Sequence, residues 1–253
     1  PSFGGINLED IAAPKCFEIE ERLKAELDIP VMHDDQHGTA IVVLAALINA
    51  AIVTRRNVSD LKIVLVGAGA AGVAIAKLIN HYSQARIIAV DSRGIISKSR
   101  DDLNTEKKLL LDFTNVDNID GSLEDALHNA DTFIGVSKAG LLTADMIKLM
   151  DKNPIVFGLA NPVPEIMPDV AKQAGVAIVA TGRSDFPNQI NNVLGFPGIF
   201  RGALDNGVTK ITDDHKIAAA EALANMVSNP TADEIIPNPF AEGVVETIAK
   251  TIV

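Results

Sequence analysis

Two acidic pairs near the start of the sequence could do chemistry together. One is Glu9-Asp10, in Gly4-Gly-Ile-Asn-Leu-Glu-Asp-Ile; the other is Asp34-Asp35, in Val31-Met-His-Asp-Asp-Gln-His-Gly-Thr-Ala. Carboxylates converging from two segments suit a hard divalent cation, Mg²⁺ or Mn²⁺, which takes oxygen ligands and keeps positions open for water or substrate. Taken alone, each pair reads first as a helix cap or a surface group. His33 and His37 flank the second pair. With Gly38 beside them and no matching cysteine, they make a poor zinc site. Three amides stand further on: Asn161 in Gly158-Leu-Ala-Asn-Pro-Val-Pro-Glu, and Asn191 and Asn192 in Gln189-Ile-Asn-Asn-Val-Leu-Gly-Phe-Pro-Gly. An amide can hydrogen-bond a carboxylate without adding charge. Before proline, Asn161 reads equally as an Asx-turn.

A third constellation binds rather than reacts. Leu61-Lys-Ile-Val-Leu-Val is a β-rich run that feeds Gly67-Ala68-Gly69-Ala70-Ala71-Gly72, and a small-residue helix from Val73 to Leu78 follows. Asp91 closes the next apolar run, 24 residues beyond Gly67, with Ser92 after it. Strand, G-x-G-x-x-G loop, helix and acid in that order form the dinucleotide fingerprint of a βαβ unit. Gly67 permits a tight turn, Gly69 lets backbone approach a pyrophosphate, and Gly72 lets the helix lie close to the strand. The helix N-terminus offers unpaired N–H groups and the positive dipole end to phosphate. Asp91 is expected to receive ribose hydroxyls, which favours NAD. Ser92, Arg93, Lys107 and Lys108 lie near enough in sequence to accommodate a 2′-phosphate, so NADP also fits.

The elements that must position these groups follow from periodicity. Leu8 to Leu27 reads as helix, with Pro14 kinking or restarting it. Residues 29–32 form a short strand or link, and Thr39 to Arg55 a long apolar helix buried on most sides. Ser97 to Leu111 reads as a charged excursion over the surface. Ser122 begins a short helix with a capping box. Strands over 131–135, 154–158 and 176–180 alternate with helices over 143–150 and 168–174. Helix is expected from Thr212 onward. Strands alternating with helices imply an α/β fold, Rossmann-like and doubly wound, with a mainly parallel sheet and flanking helices. In such sheets ligands sit at the carboxyl ends of the strands.

Composition sets outer bounds. The chain has 253 residues, 47% of them hydrophobic but only 4% aromatic, so the core must be Ala, Val, Ile and Leu, as in buried parallel sheets. The net charge of −11 and the lack of a basic run argue against a nucleic-acid partner. An anionic substrate would need a local cation. Cys16 is the only cysteine and reads as a small buried hydrophobe, consistent with a reducing compartment. The longest apolar run, Ala40 to Val53, contains Asn49 and reads as too short for a bilayer span. The expected location is cytoplasmic. A first residue of Pro1 rather than Met fits a piece of a longer polypeptide.

Four phrases together carry a family resemblance: Phe3-Gly-Gly-Ile-Asn-Leu-Glu-Asp-Ile, His33-Asp-Asp-Gln-His-Gly-Thr-Ala, Val66-Gly-Ala-Gly-Ala-Ala-Gly and Asn191-Asn-Val-Leu-Gly-Phe-Pro-Gly. They resemble the bacterial malic enzymes of the short type, in order and along essentially the whole chain. The resemblance implies that Glu9, Asp10 and Asp35 hold the divalent metal and that Asp34 supports a catalytic lysine. It implies that Asn161 and, less closely matched, Asn192 contact the substrate carboxylate. It also implies a division at 1–34, a remnant of an N-terminal catalytic domain, and 35–253, an NAD(P)-binding domain ending in helices. The family's general-acid tyrosine and general-base lysine belong to a domain before the Phe3 phrase. The one tyrosine here, Tyr82, lies on the wrong motif.

The implied activity is oxidative decarboxylation of L-malate to pyruvate and CO₂. The chain is expected to bind cofactor and metal yet to be inactive when isolated, with Lys15, Lys138 and His33 the bases to test otherwise. A metal-dependent oxaloacetate decarboxylase is the alternative within the family. From another class, a non-catalytic nucleotide-binding or dimerising module has no need of Glu9, Asp10 and Asp35. A homodimer or higher homo-oligomer is expected, with malate or oxaloacetate as the small-molecule partner and no membrane.

Overall fold

Alternate residues of each central strand face opposite sides of one sheet, and both sides are apolar. In β3 (Lys62–Val66), Ile63 and Leu65 join one core, while Val64 and Val66 join a second. β4 (Arg86–Asp91), β6 (Thr132–Gly135), β7 (Ile155–Gly158) and β8 (Ile178–Thr181) split in the same way. A period of two with both faces covered is what a buried parallel sheet requires. The computed structural model describes residues 2–253. Its main sheet has the order β5-β4-β3-β6-β7-β8, parallel throughout except for the short β5 (Gly94–Ile95), which runs antiparallel to β4. The chain leaves β3 toward β4 on one side and returns to β6 on the other. That reversal creates a crevice at the carboxyl ends of β3 and β6.

α2 (Asp34–Val53), α3 (Ala70–Ser83) and α9 (Asp213–Asn225) cover one face. α5 (Leu123–Leu127), α6 (Ala144–Ile147) and α7 (Pro168–Gln173) cover the other. α2 is long and apolar enough to cross a bilayer, contrary to the shorter span expected. However, 72% of its most apolar stretch is buried inside the protein, as befits a central core helix. α8 (Phe196–Asn206) and α10 (Val244–Ala249) pack together, and α10 also packs on α9.

Several sequence expectations need correction. Residues 6–8 are a strand, β1 (Ile6–Leu8), paired in parallel with β2 (Val31–His33), and helix α1 (Lys15–Glu26) begins only after Pro14. Proline lacks an N–H and its ring blocks the turn before it, so the apparent helical spacing from Ile11 onward spans a real break. α2 begins at Asp34, five residues before Thr39, so the second acidic pair forms a helical first turn. Carboxylates are favoured there by the helix dipole. The stretch 97–111 runs over the surface as expected but is anchored by buried Leu103 and Leu110, and it contains a short helix, α4 (Thr105–Leu110), capped by Asn104, which accepts from Lys107 N. α8 follows the Asn-Asn phrase, where periodicity singled out no helix. Between α9 and α10 the backbone is not helical. The Asn188 amide ties that stretch down by donating to Ala232 O and accepting from Ile235 N. The capping box at Ser122 is present as expected.

Candidate active site

The glycine loop occupies the crevice between β3 and β6. Gly67 has φ +110° and donates its N–H to Val90 O at 2.9 Å. A Cβ there would also lie 2.6 Å from Val136 O, so only glycine makes this turn. A Cβ on Gly72 would sit 1.8 Å from the Gly67 carbonyl, which is the close helix–strand approach expected of it. Ala68 and Ala71 rest against the core. Gly69 caps α3 without any side-chain hydrogen bond, and the space over its Cα is open. The first N–H groups of α3, from Ala70 to Gly72, are thus left uncapped by any side chain, as an anion-binding helix start requires.

A hollow of about 360 Å³ lies beyond the carboxyl end of β4, lined by Asp91, Ser92, Arg93, Ser137 and Lys138 among others. Asp91 is not free to serve a ribose as the sequence led one to expect. Its carboxylate accepts from Arg93 N (2.9 Å), twice from the Arg100 guanidinium (2.8 and 3.0 Å) and from Lys107 Nζ (2.6 Å). Burial pushes its carboxyl up, but Arg100 and Lys107 outweigh that and hold it below the usual range. Arg93 pairs with Asp102 at 3.1 Å. Asp91 and Asp102 thus form one ion-pair network with Arg93, Arg100 and Lys107 beside the hollow.

On the other side of the loop is a cavity of about 370 Å³. Ala70 and Ala71 of the dinucleotide helix, Ser137, Asp35, Asn161, Asn191 and Asn192 all line it. Segments from five parts of the sequence meet there. Asn191 Oδ1 caps Val193 N. The amide of Asn192 donates one of its N–H groups to Asp34 Oδ2 at 2.7 Å and still lines the cavity. Asp34 is buried, and its Oδ1 has no partner. Burial, with Glu9 and Asp35 nearby, raises its carboxyl to about 7 against the pull of Asn192.

The loop carrying Glu9 and Asp10 reaches this place through one bond: Asp10 N donates to Asp35 Oδ2 at 2.8 Å. Asn7 orients Glu9 at 2.9 Å. Among the described residues, no group of three or more His, Cys, Asp or Glu side chains is gathered into a metal-binding set. The donors are nonetheless all oxygens, and Asp34 Oδ1 is buried without a partner, so their chemistry fits a hard cation. His33 Nε2 is buried 3.5 Å from Asp35 Oδ2 without a hydrogen bond.

Two buried glutamates escaped sequence reasoning. Glu20 of α1 accepts from His33 N (3.1 Å), Gln36 (3.2 Å), His37 (2.9 Å) and Lys24 (2.8 Å), bracing the turn that bears Asp34 and Asp35. Burial raises its carboxyl, but His37 and Lys24 overcome this and set it at about 2. Glu20, Lys24, Gln36 and His37 border a larger cavity of about 510 Å³, where buried Lys216 pairs with the exposed Asp213 at 2.8 Å. Glu165 lies under β6 and β7; its one local signal is a lone acid in an apolar, proline-rich run.

Residues 36–252 match the family model described as malic enzyme, NAD binding domain. The chain belongs to the malic enzyme family. It is 56% identical to the bifunctional malic/malolactic enzyme of Bacillus subtilis, over 100% of this chain and 62% of that protein. It is 51% identical to the NAD-dependent malic enzyme of Geobacillus stearothermophilus, over 100% of this chain and 53% of that one. The NADP-dependent malic enzyme of Escherichia coli is 43% identical and is covered over 35% of its length. The crystal structure of the NAD-dependent malic enzyme of Thermotoga maritima matches with a TM-score of 0.95 at 46% identity, over 100% of this chain and 67% of that one. The chain thus spans roughly a third to two thirds of the length of these malic enzymes. The part it spans includes their Rossmann-type NAD-binding domain, and the expected fold and family hold.

Proposed function

We propose that the polypeptide bearing this chain converts L-malate to pyruvate and CO₂ with NAD or NADP and a divalent metal, and that this chain is its cofactor- and metal-binding part. One observation carries the reading: a single cavity is lined by the start of the dinucleotide helix, by Asp35 and by three amides able to grip a carboxylate. When bound, the dinucleotide supplies a hydride acceptor for C2 of malate, and Mg²⁺ or Mn²⁺ a Lewis acid for the electrons released with CO₂. The chain's own groups do the positioning. The N–H groups from Gly69 to Gly72 and the α3 dipole hold the pyrophosphate. Asn161 and Asn191 orient the substrate carboxylate, and Asn192 holds Asp34 through its 2.7 Å bond. Glu9, Asp10 and Asp35 would hold the metal. Asp34 would pair with the cationic base that the family resemblance implies, a role supported by its one buried free oxygen. Tyr82 packs on the core from α3, which supports a general acid supplied from outside this chain.

Both dinucleotides fit the charge around β4. The Asp91 carboxylate, which would repel a 2′-phosphate, is balanced by Arg100 and Lys107. The fully buried lone Cys16 supports a reducing compartment.

The test is NADH or NADPH formation by the full polypeptide given malate and Mn²⁺, beside its Gly69→Val variant. A branched side chain at Gly69 fills the space meant for phosphate, so cofactor binding should be lost. No malate-dependent reduction in the parent would overturn the reading. The name of the Bacillus relative favours a second activity, conversion of malate to lactate, detected as lactate formed without net NADH.

A further inference from the structure

Glu165 is fully buried and lines neither cavity, yet it holds the floor of both. Its Oε1 accepts from Ser137 N at 2.8 Å and its Oε2 from Ala160 N at 3.0 Å. Its backbone carbonyl accepts from Leu142 N at 2.9 Å. One residue therefore ties together the segments that follow β6 and β7. These strands are neighbours, ending at the pair Gly135↔Gly158. The carboxylate fits there because position 135 has no side chain: a Cβ on Gly135 would lie 2.5 Å from Glu165 Cδ. Burial pushes the Glu165 carboxyl up, while the Ser137 and Ala160 N–H groups oppose it. Such a buried acid is costly unless both oxygens are engaged, and here both are.

What the clamp holds is unevenly shared between the cavities. Ser137 lines both. Ala160 and the adjoining Asn161 line only the cavity with the amides and Asp35. The phosphate loop, residues 67–72, receives no side-chain bond from Glu165, and the lining of the Asp91 hollow receives only the one at Ser137.

We propose that Glu165 is a positioning residue for the nicotinamide- and malate-facing half of the site. Its carboxylate sets the peptides of Ser137 and Ala160, and through Ala160 the direction of the Asn161 amide. The inference rests on the reading that the two cavities take the two halves of the dinucleotide, with malate beside the nicotinamide. Glu165→Gln keeps the shape but turns an NH₂ donor toward one of the two N–H groups, so one arm of the clamp must open.

The experiment compares the full polypeptide with its Glu165→Gln variant. ADP-ribose, which lacks nicotinamide, and NAD are titrated separately; malate kinetics and thermal melting are measured on the same samples. The expected result is ADP-ribose affinity unchanged within about threefold. NAD affinity should fall and the KM for malate rise by at least about tenfold, as expected for a broken charged hydrogen bond. Equal loss of ADP-ribose and NAD, or no change in either, would overturn the inference by showing a purely structural or a dispensable group. If Glu165→Gln does not fold, Gly135→Ala decides, because its methyl displaces the same carboxylate while leaving it charged; the same split is expected and the same outcomes overturn it. A parent that binds neither ligand refutes the site reading itself and the inference with it, and this outcome is seen before any variant is compared.

Discussion

Asn192 donates a 2.7 Å hydrogen bond to Asp34, joining the first turn of α2 to a loop 158 residues later. This bond decides how one end of the amide cavity is oriented, since the other Asp34 oxygen is buried without a partner. Asn192→Ala should leave the whole carboxyl without a side-chain partner. In steady-state kinetics of the full polypeptide, kcat for malate should fall about 10- to 100-fold, as for a lost buried hydrogen bond, with NAD affinity retained. Parental kcat in that variant would remove Asn192 from the machinery.

Metal binding should depend on Asp35. Its Oδ2 already accepts the Asp10 N–H, so it is the group that joins the two acidic segments. Asp35→Asn keeps the shape and removes the charge. Mn²⁺ affinity, followed by calorimetric titration of the full polypeptide, should drop by more than about tenfold, or ~1.4 kcal/mol. Superimposable titrations would reduce the acidic pairs to helix caps.

Cofactor choice should respond to Lys107, whose Nζ lies 2.6 Å from Asp91. Lys107→Ala removes one of the two side chains that balance this acid. The freed charge then opposes a 2′-phosphate, an interaction of about 1–4 kcal/mol at contact distance. The ratio of kcat/KM for NADP to that for NAD should fall at least about tenfold. An unchanged ratio would mean that Asp91 does not face the ribose.

Acid stability should report Glu20. Its carboxyl drops from an ordinary 4.5 to about 2 in the folded chain. A depressed acid contributes stability that is complete above pH 4.5 and is lost as pH falls toward 2. The loss should reach about 3 kcal/mol. The partner of Glu20, His37, adds to this at higher pH: burial lowers it to about 4, so unfolding gains protons as pH falls from 6.5. Urea midpoints against pH should show both steps, and Glu20→Gln should erase the lower one. A Glu20→Gln profile still falling between pH 4.5 and 2 would assign that step to other carboxylates.

The dinucleotide loop was legible from residues alone because its physics is local. Gly67, Gly69 and Gly72 are set by a turn, an open approach and a close contact within six residues, and the strand before them carries its own period. The capping box at Ser122 and the alternation of strands and helices were readable for the same reason. The acidic and amide residues were legible as candidates, but not their partners. That Asn192 serves Asp34, and that Asp91 is already bound by Arg100 and Lys107, depends on which segments the sheet brings together. Pro14 and the first turn of α2 misled periodicity, because a break or a cap is decided by backbone N–H partners rather than by apolar spacing. Glu20 and Glu165 were invisible for a plainer reason: a glutamate in sequence reads as surface, whether in a charged run as at 18–21 or alone as at 165. Only the tertiary structure buries each one and surrounds it with the N–H groups that make an acid tolerable there.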